Sequence, residues 1–230
     1  RNCNKKRLHL QNKELRNMGS GASKQQSELQ TQIKTVSPVL PHIFMTSRYG
    51  AMRPDTYTEH NITAVLALTT NNSQYPEGVL VKHIHVQDSF FFFLNQVLPE
   101  AIQWIEEMVK ENRNVLVHCE IGMSRSAAAL IAYLMKVNRW TFKQSFLFLR
   151  EKRPIVCPNP GFIIQLYEFQ HKLGIKDTDN SSMFVKELLE HTNRVYKDIP
   201  THALWNSFVE NGFSYEKAVK RQPTQNTTCM

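Results

Sequence analysis

The segment of the sequence best suited to chemistry holds Cys119, followed six residues later by Arg125 and then by Ser126. An apolar run at residues 115–117 precedes the cysteine, and an alanine-rich run at residues 127–135 follows Ser126. We therefore predict a loop between a buried strand and a helix. The open N–H groups and the positive dipole end of that helix would point at one spot, which makes a ready site for an anion.

This setting favours a nucleophilic sulfur. A helix N-terminus and nearby cations lower the pKa of a cysteine to roughly 3.5–7.5, so Cys119 is predicted to be a thiolate. Arg125 can hold two phosphate oxygens with its planar fork, and Gly122 permits close backbone approach or an unusual φ. The pattern predicts phosphoryl transfer to sulfur. The alternative is an inert buried cysteine beside a helix-capping Ser–Arg pair. If phosphoryl transfer to Cys119 takes place, backbone N–H groups of the loop would hold the phosphate: those of Glu120, Ile121, Gly122, Met123, Ser124 and Arg125.

Residues 118–127, HCEIGMSRSA, resemble the signature of the cysteine-dependent protein phosphatases, in particular the dual-specificity branch. The resemblance runs from residue 36 to residue 173, and parts of it are similar to the small, atypical members that lack a kinase-docking domain. It implies an α/β fold like that of the protein tyrosine phosphatases, with a central mixed sheet of about five strands flanked by helices. Three further stretches support it, at residues 62–68, 85–88 and 153–166.

The resemblance implies roles for individual residues. Cys119 would form a cysteinyl-phosphate, and Ser126 would hydrogen-bond the sulfur and ease its departure. Asp88, which lies 31 residues before Cys119 and follows a predicted strand, is the candidate general acid. Asn159 would brace the acid loop, and His118 would order the phosphate loop from the opposite face of its strand. Ordinary structural roles remain alternatives: a helix residue for Ser126, a turn or cap residue for Asp88 and a helix N-cap for Asn159.

Charge and cysteine content limit the kinds of ligand. The net charge of +8 is concentrated in residues 1–37, which hold 8 Lys and Arg but 2 acidic residues, so nucleic-acid binding is not expected. The four cysteines are widely spaced without a Cys-x2-Cys pair, so neither a disulfide framework nor a metal site is predicted. No cofactor is expected. Such cysteine use is typical of a reducing compartment, and we expect a cytoplasmic protein, with the nucleus as an alternative.

Residues 1–37 are polar and lack sustained periodicity, which predicts a disordered basic tail. Met18 begins the run Met-Gly-Ser-Gly-Ala-Ser, which fits the pattern for myristoylation of Gly19 if Met18 is the initiator. One acyl chain gives only weak, reversible membrane association. The alternative is a chance Gly/Ser linker. Residues 5–10 resemble a kinase-docking peptide, for which an ordinary charged tail is the alternative.

The rest of the chain is predicted to form two parts. Strand signals alternate with helix signals over residues 38–175, which is typical of an α/β catalytic domain. Residues 176–230 are predicted to be a helical extension of unknown role, with helices near 183–197 and 201–220. The predicted strands are 41–46, 63–68, 82–86 and 114–118, and the predicted helices of the domain are 96–110, 124–138, 141–151 and 160–173.

The leading functional hypothesis is a protein phosphatase that acts on phosphotyrosine and on phosphoserine or phosphothreonine. Phosphoproteins are the expected partners, with kinases among the candidates, and the sequence does not indicate an oligomeric state. A catalytically silent phosphatase fold that binds phosphoproteins is one alternative, but such proteins lose the cysteine or the arginine. A phosphatase of a non-protein ester, such as an inositol lipid or an RNA 5′-phosphate, is another. Those sites usually place extra cations or polar groups in the loop, and residues 120–124 add no cation.

Overall fold

The structure, a computed structural model, describes residues 21–192 and 201–220. These residues hold five strands, ten α-helices and one 3₁₀ turn at Leu94–Gln96. The strands are β1 (Ser37–Leu40), β2 (Ile43–Ser47), β3 (Ile62–Thr69), β4 (Leu80–His85) and β5 (Asn114–Cys119). The helices are α1 (Gly21–Lys34), α2 (Arg48–Ala51), α3 (Pro54–Glu59), α4 (Leu98–Lys110), α5 (Arg125–Asn138), α6 (Phe142–Lys152), α7 (Pro160–Lys172), α8 (Ser181–Thr192), α9 (Thr201–Glu210) and α10 (Tyr215–Lys220).

The strands form one mixed sheet in the order β1-β2-β5-β3-β4. β1 is antiparallel to β2, and the other three pairings are parallel. The prediction of a mixed five-stranded sheet flanked by helices is confirmed. β5 lies in the middle of the sheet, and its last residue, Cys119, is opposite Ser47 of β2. The loop after β5 therefore lies at the carboxyl edge of the parallel strands, where ligands bind in such sheets.

Both faces of the sheet are covered, because alternate side chains of β3 enter two separate cores. Ala64, Leu66 and Leu68 belong to the large core that includes residues of α4 to α7. Val65 and Ala67 belong to a smaller core with residues of α2 and α3. A parallel strand buried on both faces reads as a continuous apolar run, and this is the pattern that predicts β3 from the sequence. The large core also fixes α5, the helix that begins at the reactive loop.

The prediction of a disordered tail is wrong for residues 21–34, which form α1. Hydroxyl groups of β2 hold the end of this segment: Ser47 Oγ donates to Ile33 O at 2.6 Å, and Thr46 Oγ1 donates to Thr35 O at 3.0 Å. These partners are 14 and 11 residues away in sequence, so the polar composition of the segment gives no sign of them. Residues 1–20, which include the predicted acylation and docking motifs, lie outside the described residues.

The segment after residue 175 adds to the large core. The Phe184 ring of α8 lies 5.5 Å from Phe146 of α6 between centroids. The rings of Trp205 and Phe208 in α9 lie 5.8 Å and 6.5 Å from Tyr167 of α7. The predicted helical extension is therefore packed against the catalytic domain through aromatic side chains.

One boundary in the extension differs from the prediction. The single helix predicted over residues 201–220 is two helices, α9 and α10. Between them, Gly212 and Phe213 have positive φ values of 65° and 61°. Glycine at the first of these positions ends α9 in the left-handed conformation at little cost. No helix of the described ranges is long and apolar enough to cross a membrane.

Candidate active site

The turn from β5 to α5 wraps around the side chain of Cys119. Cys119 is the last residue of β5, and α5 begins at Arg125 after its N-cap, Ser124. The Cys119 side chain is buried. The Gly122 N–H and the Ser126 hydroxyl both donate to Sγ, each at 3.2 Å. The sulfur thus lies at the N-terminal end of α5 with two hydrogen-bond donors directed at it.

Opposing effects act on the pKa of the Cys119 thiol. Burial raises the pKa, whereas the positive charge of Arg125 and hydrogen bonds from Ser126 lower it, and the net pKa lies below the ordinary value of 9.0. The negative charge of Asp88 acts weakly in the opposite direction. The thiolate therefore forms at a lower pH than in a free cysteine.

Arg125 lies almost completely buried beside the loop. Its Nη1 donates to Val86 O at 3.3 Å. Its Nε is also buried and has no hydrogen-bond partner among the described residues. A buried guanidinium N–H without a protein acceptor carries a large desolvation cost unless a ligand supplies the acceptor. An oxygen of a bound phosphate is the acceptor that this charge and this place in the loop favour.

A backbone turn at Gly122 orients the loop. Gly122 has a φ of +71°, and a Cβ at this residue would lie 2.5 Å from Thr46 O. Arg153 binds the carbonyl groups of this turn: its Nε donates to Gly122 O at 2.7 Å, and its Nη2 donates to Ile121 O at 3.2 Å. In a trans peptide the N–H points away from the carbonyl. The carbonyls directed at Arg153 thus turn the next N–H groups inward, and that of Gly122 reaches Cys119 Sγ.

Arg153 is a site residue to which sequence reasoning gave no role. It is 1% exposed, and burial lowers its pKa to about 10, which leaves it cationic at neutral pH. Its Nη1 donates to Thr35 O at 3.1 Å and to Ser37 Oγ at 3.3 Å. Arg153 therefore connects the segment after α1 to the reactive loop. The sequence signal that could identify Arg153 is its place in residues 153–166, which carry part of the family resemblance.

The remaining members of the loop lie toward its outer side. Glu120, Ile121 and Met123 are partly exposed. The Glu120 carboxylate lies 3.7 Å from Arg48 Nη1, and its carbonyl accepts a hydrogen bond from the Arg48 N–H at 3.1 Å. The ion pair is too exposed to add much stability. The positive charge of Arg48 nevertheless offsets the Glu120 carboxylate, which would otherwise repel a bound phosphate.

Asp88 is connected to the loop by two side chains. Ser124 Oγ donates to Asp88 Oδ1 at 2.7 Å, and Asn159 Nδ2 donates to the same oxygen at 2.8 Å. Asn159 is also the N-cap of α7, because its Oδ1 accepts from the Phe162 N–H at 3.0 Å. The brace and the N-cap, which the sequence left as alternatives for Asn159, are therefore both present. The sequence predicts Ser124 only as a backbone donor, so the contact of its hydroxyl with Asp88 adds a role.

His118 lies on the opposite side of β5 from the sulfur pocket. Its Nδ1 lies 3.1 Å from Cys119 O, and its Nε2 lies 2.8 Å from the Tyr75 hydroxyl. Because a carbonyl can only accept, Nδ1 carries the proton and Nε2 accepts from Tyr75. Burial lowers the pKa of His118 to about 4, so the ring is neutral at physiological pH. These contacts fit a residue that orders the loop. Both ring nitrogens have hydrogen-bond partners, so neither is placed for proton transfer to a substrate.

Two further expectations from the sequence concern metal binding and acylation. No three His, Cys, Asp or Glu side chains lie close enough together to hold a metal ion in residues 21–192 and 201–220. Gly19, the predicted acylation site, lies outside the described residues.

Comparison with known proteins identifies the family. The family model of the dual specificity phosphatase catalytic domain matches residues 43–172. The chain belongs to this family. The matched range is more than half of the sequence and includes Asp88, the loop after Cys119 and Asn159. The family predicted from the sequence is confirmed.

Two curated relatives show the extent of the dual specificity phosphatase match. Dual specificity protein phosphatase 1 of Homo sapiens is 34% identical over 136 residues, which are 59% of this chain and 37% of the relative. Protein phosphatase Slingshot homolog 3 of Rattus norvegicus is 32% identical over 143 residues, 62% of this chain and 22% of the relative. The chain thus spans well under half the length of these relatives.

Solved structures agree with the fold. Human DUSP28 matches with a TM-score of 0.57 and 28% identity over 60% of this chain and 95% of that chain. DUSP15 matches with a TM-score of 0.58 and 25% identity over 68% of this chain and 96% of that chain. The protein tyrosine phosphatase-like α/β architecture predicted from the sequence is therefore confirmed.

Proposed function

We propose that this protein is a protein phosphatase that hydrolyses phosphotyrosine and phosphoserine or phosphothreonine through a cysteinyl-phosphate intermediate. The observation that carries the proposal is the meeting of three features in one loop. They are the Cys119 sulfur with its two donors, the N-terminus of α5, and the buried Arg125 Nε that lacks an acceptor among the described residues. Together they supply a nucleophile and a site for the anion that it attacks.

In the first step, the Cys119 thiolate attacks phosphorus, so an S–P bond forms and the P–O bond to the leaving group breaks. Arg125 and the N–H groups of residues 120–125 stabilise the charge on the phosphate oxygens. The Asp88 carboxyl gives its proton to the leaving oxygen. Ser124 and Asn159, which both donate to Asp88 Oδ1, hold that carboxyl beside the phosphate loop.

In the second step, water attacks the phosphorus of the cysteinyl-phosphate, and Asp88 takes a proton from it. The S–P bond breaks, and inorganic phosphate leaves. The electron pair returns to sulfur as a thiolate. The Ser126 hydroxyl, which donates to Sγ at 3.2 Å, stabilises the departing thiolate. This second step restores both Cys119 and the protonated Asp88.

The sequence leaves two alternative functions open, and specific observations weigh against both. A silent binding fold needs no low-pKa thiol, yet the pKa of Cys119 is below its ordinary value. A site for a polyphosphorylated lipid or RNA end needs further cations in the loop. Here Arg125 faces the site, whereas Arg153 is directed at loop carbonyls and Arg48 is paired with Glu120. Phosphoproteins are therefore the partners that we favour.

A substrate panel tests the proposal. Purified protein is expected to hydrolyse an aryl phosphate and peptides that carry phosphotyrosine or phosphothreonine. Its kcat/KM for the peptides should exceed that for phosphoinositide micelles by about tenfold or more. Faster turnover of the phosphoinositide would assign the site to lipids. Tight peptide binding without turnover of any ester would establish a binding module.

The cellular location is a separate proposal that depends on the start of translation. We propose a cytoplasmic protein that is myristoylated on Gly19 when Met18 is the initiator. A single acyl chain would place part of the protein on membranes reversibly. The intact mass of protein from its native cells should then include myristate on Gly19, and Gly19→Ala should move the protein to the soluble fraction. A mass that includes residues 1–17, or a free or acetylated Gly19, would exclude this proposal.

A further inference from the structure

The segment that carries Asp88 has contacts from several elements. We define the acid loop as residues 86–93, between β4 and the 3₁₀ turn. Its first carbonyl, Val86 O, accepts from Arg125 Nη1 at 3.3 Å. Two residues on, Asp88 accepts from Ser124 and Asn159. The first half of the acid loop is therefore fixed by side chains of Ser124 and Arg125, which follow Cys119, and of Asn159 at the start of α7.

The second half is fixed at two further carbonyls. The Tyr215 hydroxyl donates to Phe90 O, and Gln165 Nε2 donates to Phe92 O at 2.9 Å. Gly161 provides the room for the first contact, since a Cβ at Gly161 would lie 2.7 Å from the Tyr215 hydroxyl and would collide with Phe90 O. Every second residue of the acid loop, from 86 to 92, thus has an anchor on another element.

Tyr215 differs from the other anchors in its position along the chain. It is the first residue of α10, and it lies beyond residues 43–172, which match the family model. The other anchors belong to the matched domain. Tyr215 is 1% exposed, and its ring lies 6.2 Å from that of Phe90 and 6.1 Å from that of Phe93. The extension thus places one buried hydroxyl and one ring against the loop that carries the candidate acid.

We propose that Tyr215 is a positioning residue for the Asp88 carboxyl, and that helices α8 to α10 have the role of holding it in place. The proposal rests on the phosphatase function proposed above. The acid loop has no regular structure of its own, and Phe91 at its middle is 61% exposed. Without Tyr215 the carbonyl two residues after Asp88 loses its protein donor, so the loop samples more conformations. Proton donation is sensitive to that loss because it requires a correctly placed carboxyl.

Tyr215→Phe is the test variant, because it removes the hydroxyl and keeps the ring in the core. Its kcat is expected to fall by about 3- to 10-fold on a phosphoserine peptide, the range for one lost hydrogen bond. The fall should be under about twofold on an aryl phosphate with a good leaving group, which needs no protonation. Hydrogen exchange of the backbone amides in residues 86–95 should become faster in Tyr215→Phe made in a Cys119→Ser background. That second readout does not depend on activity.

Tyr167→Phe is the matched control. Tyr167 is also buried, its ring packs on Trp205 of the extension, and its hydroxyl donates to Asp177 Oδ2 at 3.0 Å, away from the acid loop. This variant should change neither the dependence on the leaving group nor exchange in residues 86–95. Equal effects of the two variants, or no effect of Tyr215→Phe on either readout, would overturn the positioning role. Failure of the wild-type protein to hydrolyse any phosphate ester would instead overturn the proposed function.

Discussion

Replacing Cys119 by serine is expected to lower turnover of an aryl phosphate by roughly 10³-fold or more, as loss of a catalytic nucleophile does. The serine hydroxyl stays protonated at neutral pH, whereas the Cys119 thiol has a pKa below its ordinary value. Binding should survive, since Arg125 and the loop N–H groups are unchanged. Initial rates and calorimetric titration with a phosphotyrosine peptide measure the two properties separately.

Cys157→Ser is the control for this substitution. Burial raises the pKa of the Cys157 thiol to about 11, so it is neutral under the conditions in which Cys119 is a thiolate. Cys157→Ser should retain activity within about twofold of wild type. Residual activity of Cys119→Ser within tenfold of wild type would contradict the covalent mechanism. Loss of peptide binding together with turnover would show that the loop depends on the sulfur for its shape.

The reactive loop could be predicted from sequence because its parts are contiguous. Cys119, Gly122, Arg125 and Ser126 lie within eight residues, and the strand before them and the helix after them have clear patterns. Local sequence therefore predicts a candidate nucleophile and an anion site, and it places a glycine where the structure has a φ of +71°. The candidate acid could be named as well, because Asp88 follows a strand at a spacing that resembles the family, and the structure places it in contact with Ser124 of the loop.

The supports of the loop could not be predicted in the same way, because each comes from a distant segment. Arg153 contacts Gly122 from 31 residues away and Thr35 from 118 residues away. Tyr215 reaches Phe90 across 125 residues. Neither residue has a local pattern that distinguishes it from an ordinary buried side chain. Helix α1 was missed for a similar reason, since hydroxyl groups of β2 hold its end.

Asp88→Ala is expected to lower kcat by roughly 10²–10⁴ on substrates with poor leaving groups, the usual effect of losing a positioned proton donor. The loss should be smaller on an aryl phosphate whose leaving oxygen needs no proton. Asp55→Ala is the control, because Asp55 is an exposed carboxylate paired with Arg53 and should have little effect. An equal loss on good and poor leaving groups would contradict the acid role of Asp88.

The pH dependence of the wild type and of the same variant gives an independent test of Cys119. The reactive form of Cys119 is the thiolate, so kcat/KM should rise with pH through the thiol pKa. That rise should lie below pH 9.0, because the pKa of Cys119 is lowered from that value. Asp88→Ala should keep this rise, because it leaves Cys119, Arg125 and Ser126 in place, whereas loss of the rise in Asp88→Ala would assign it to a group other than Cys119.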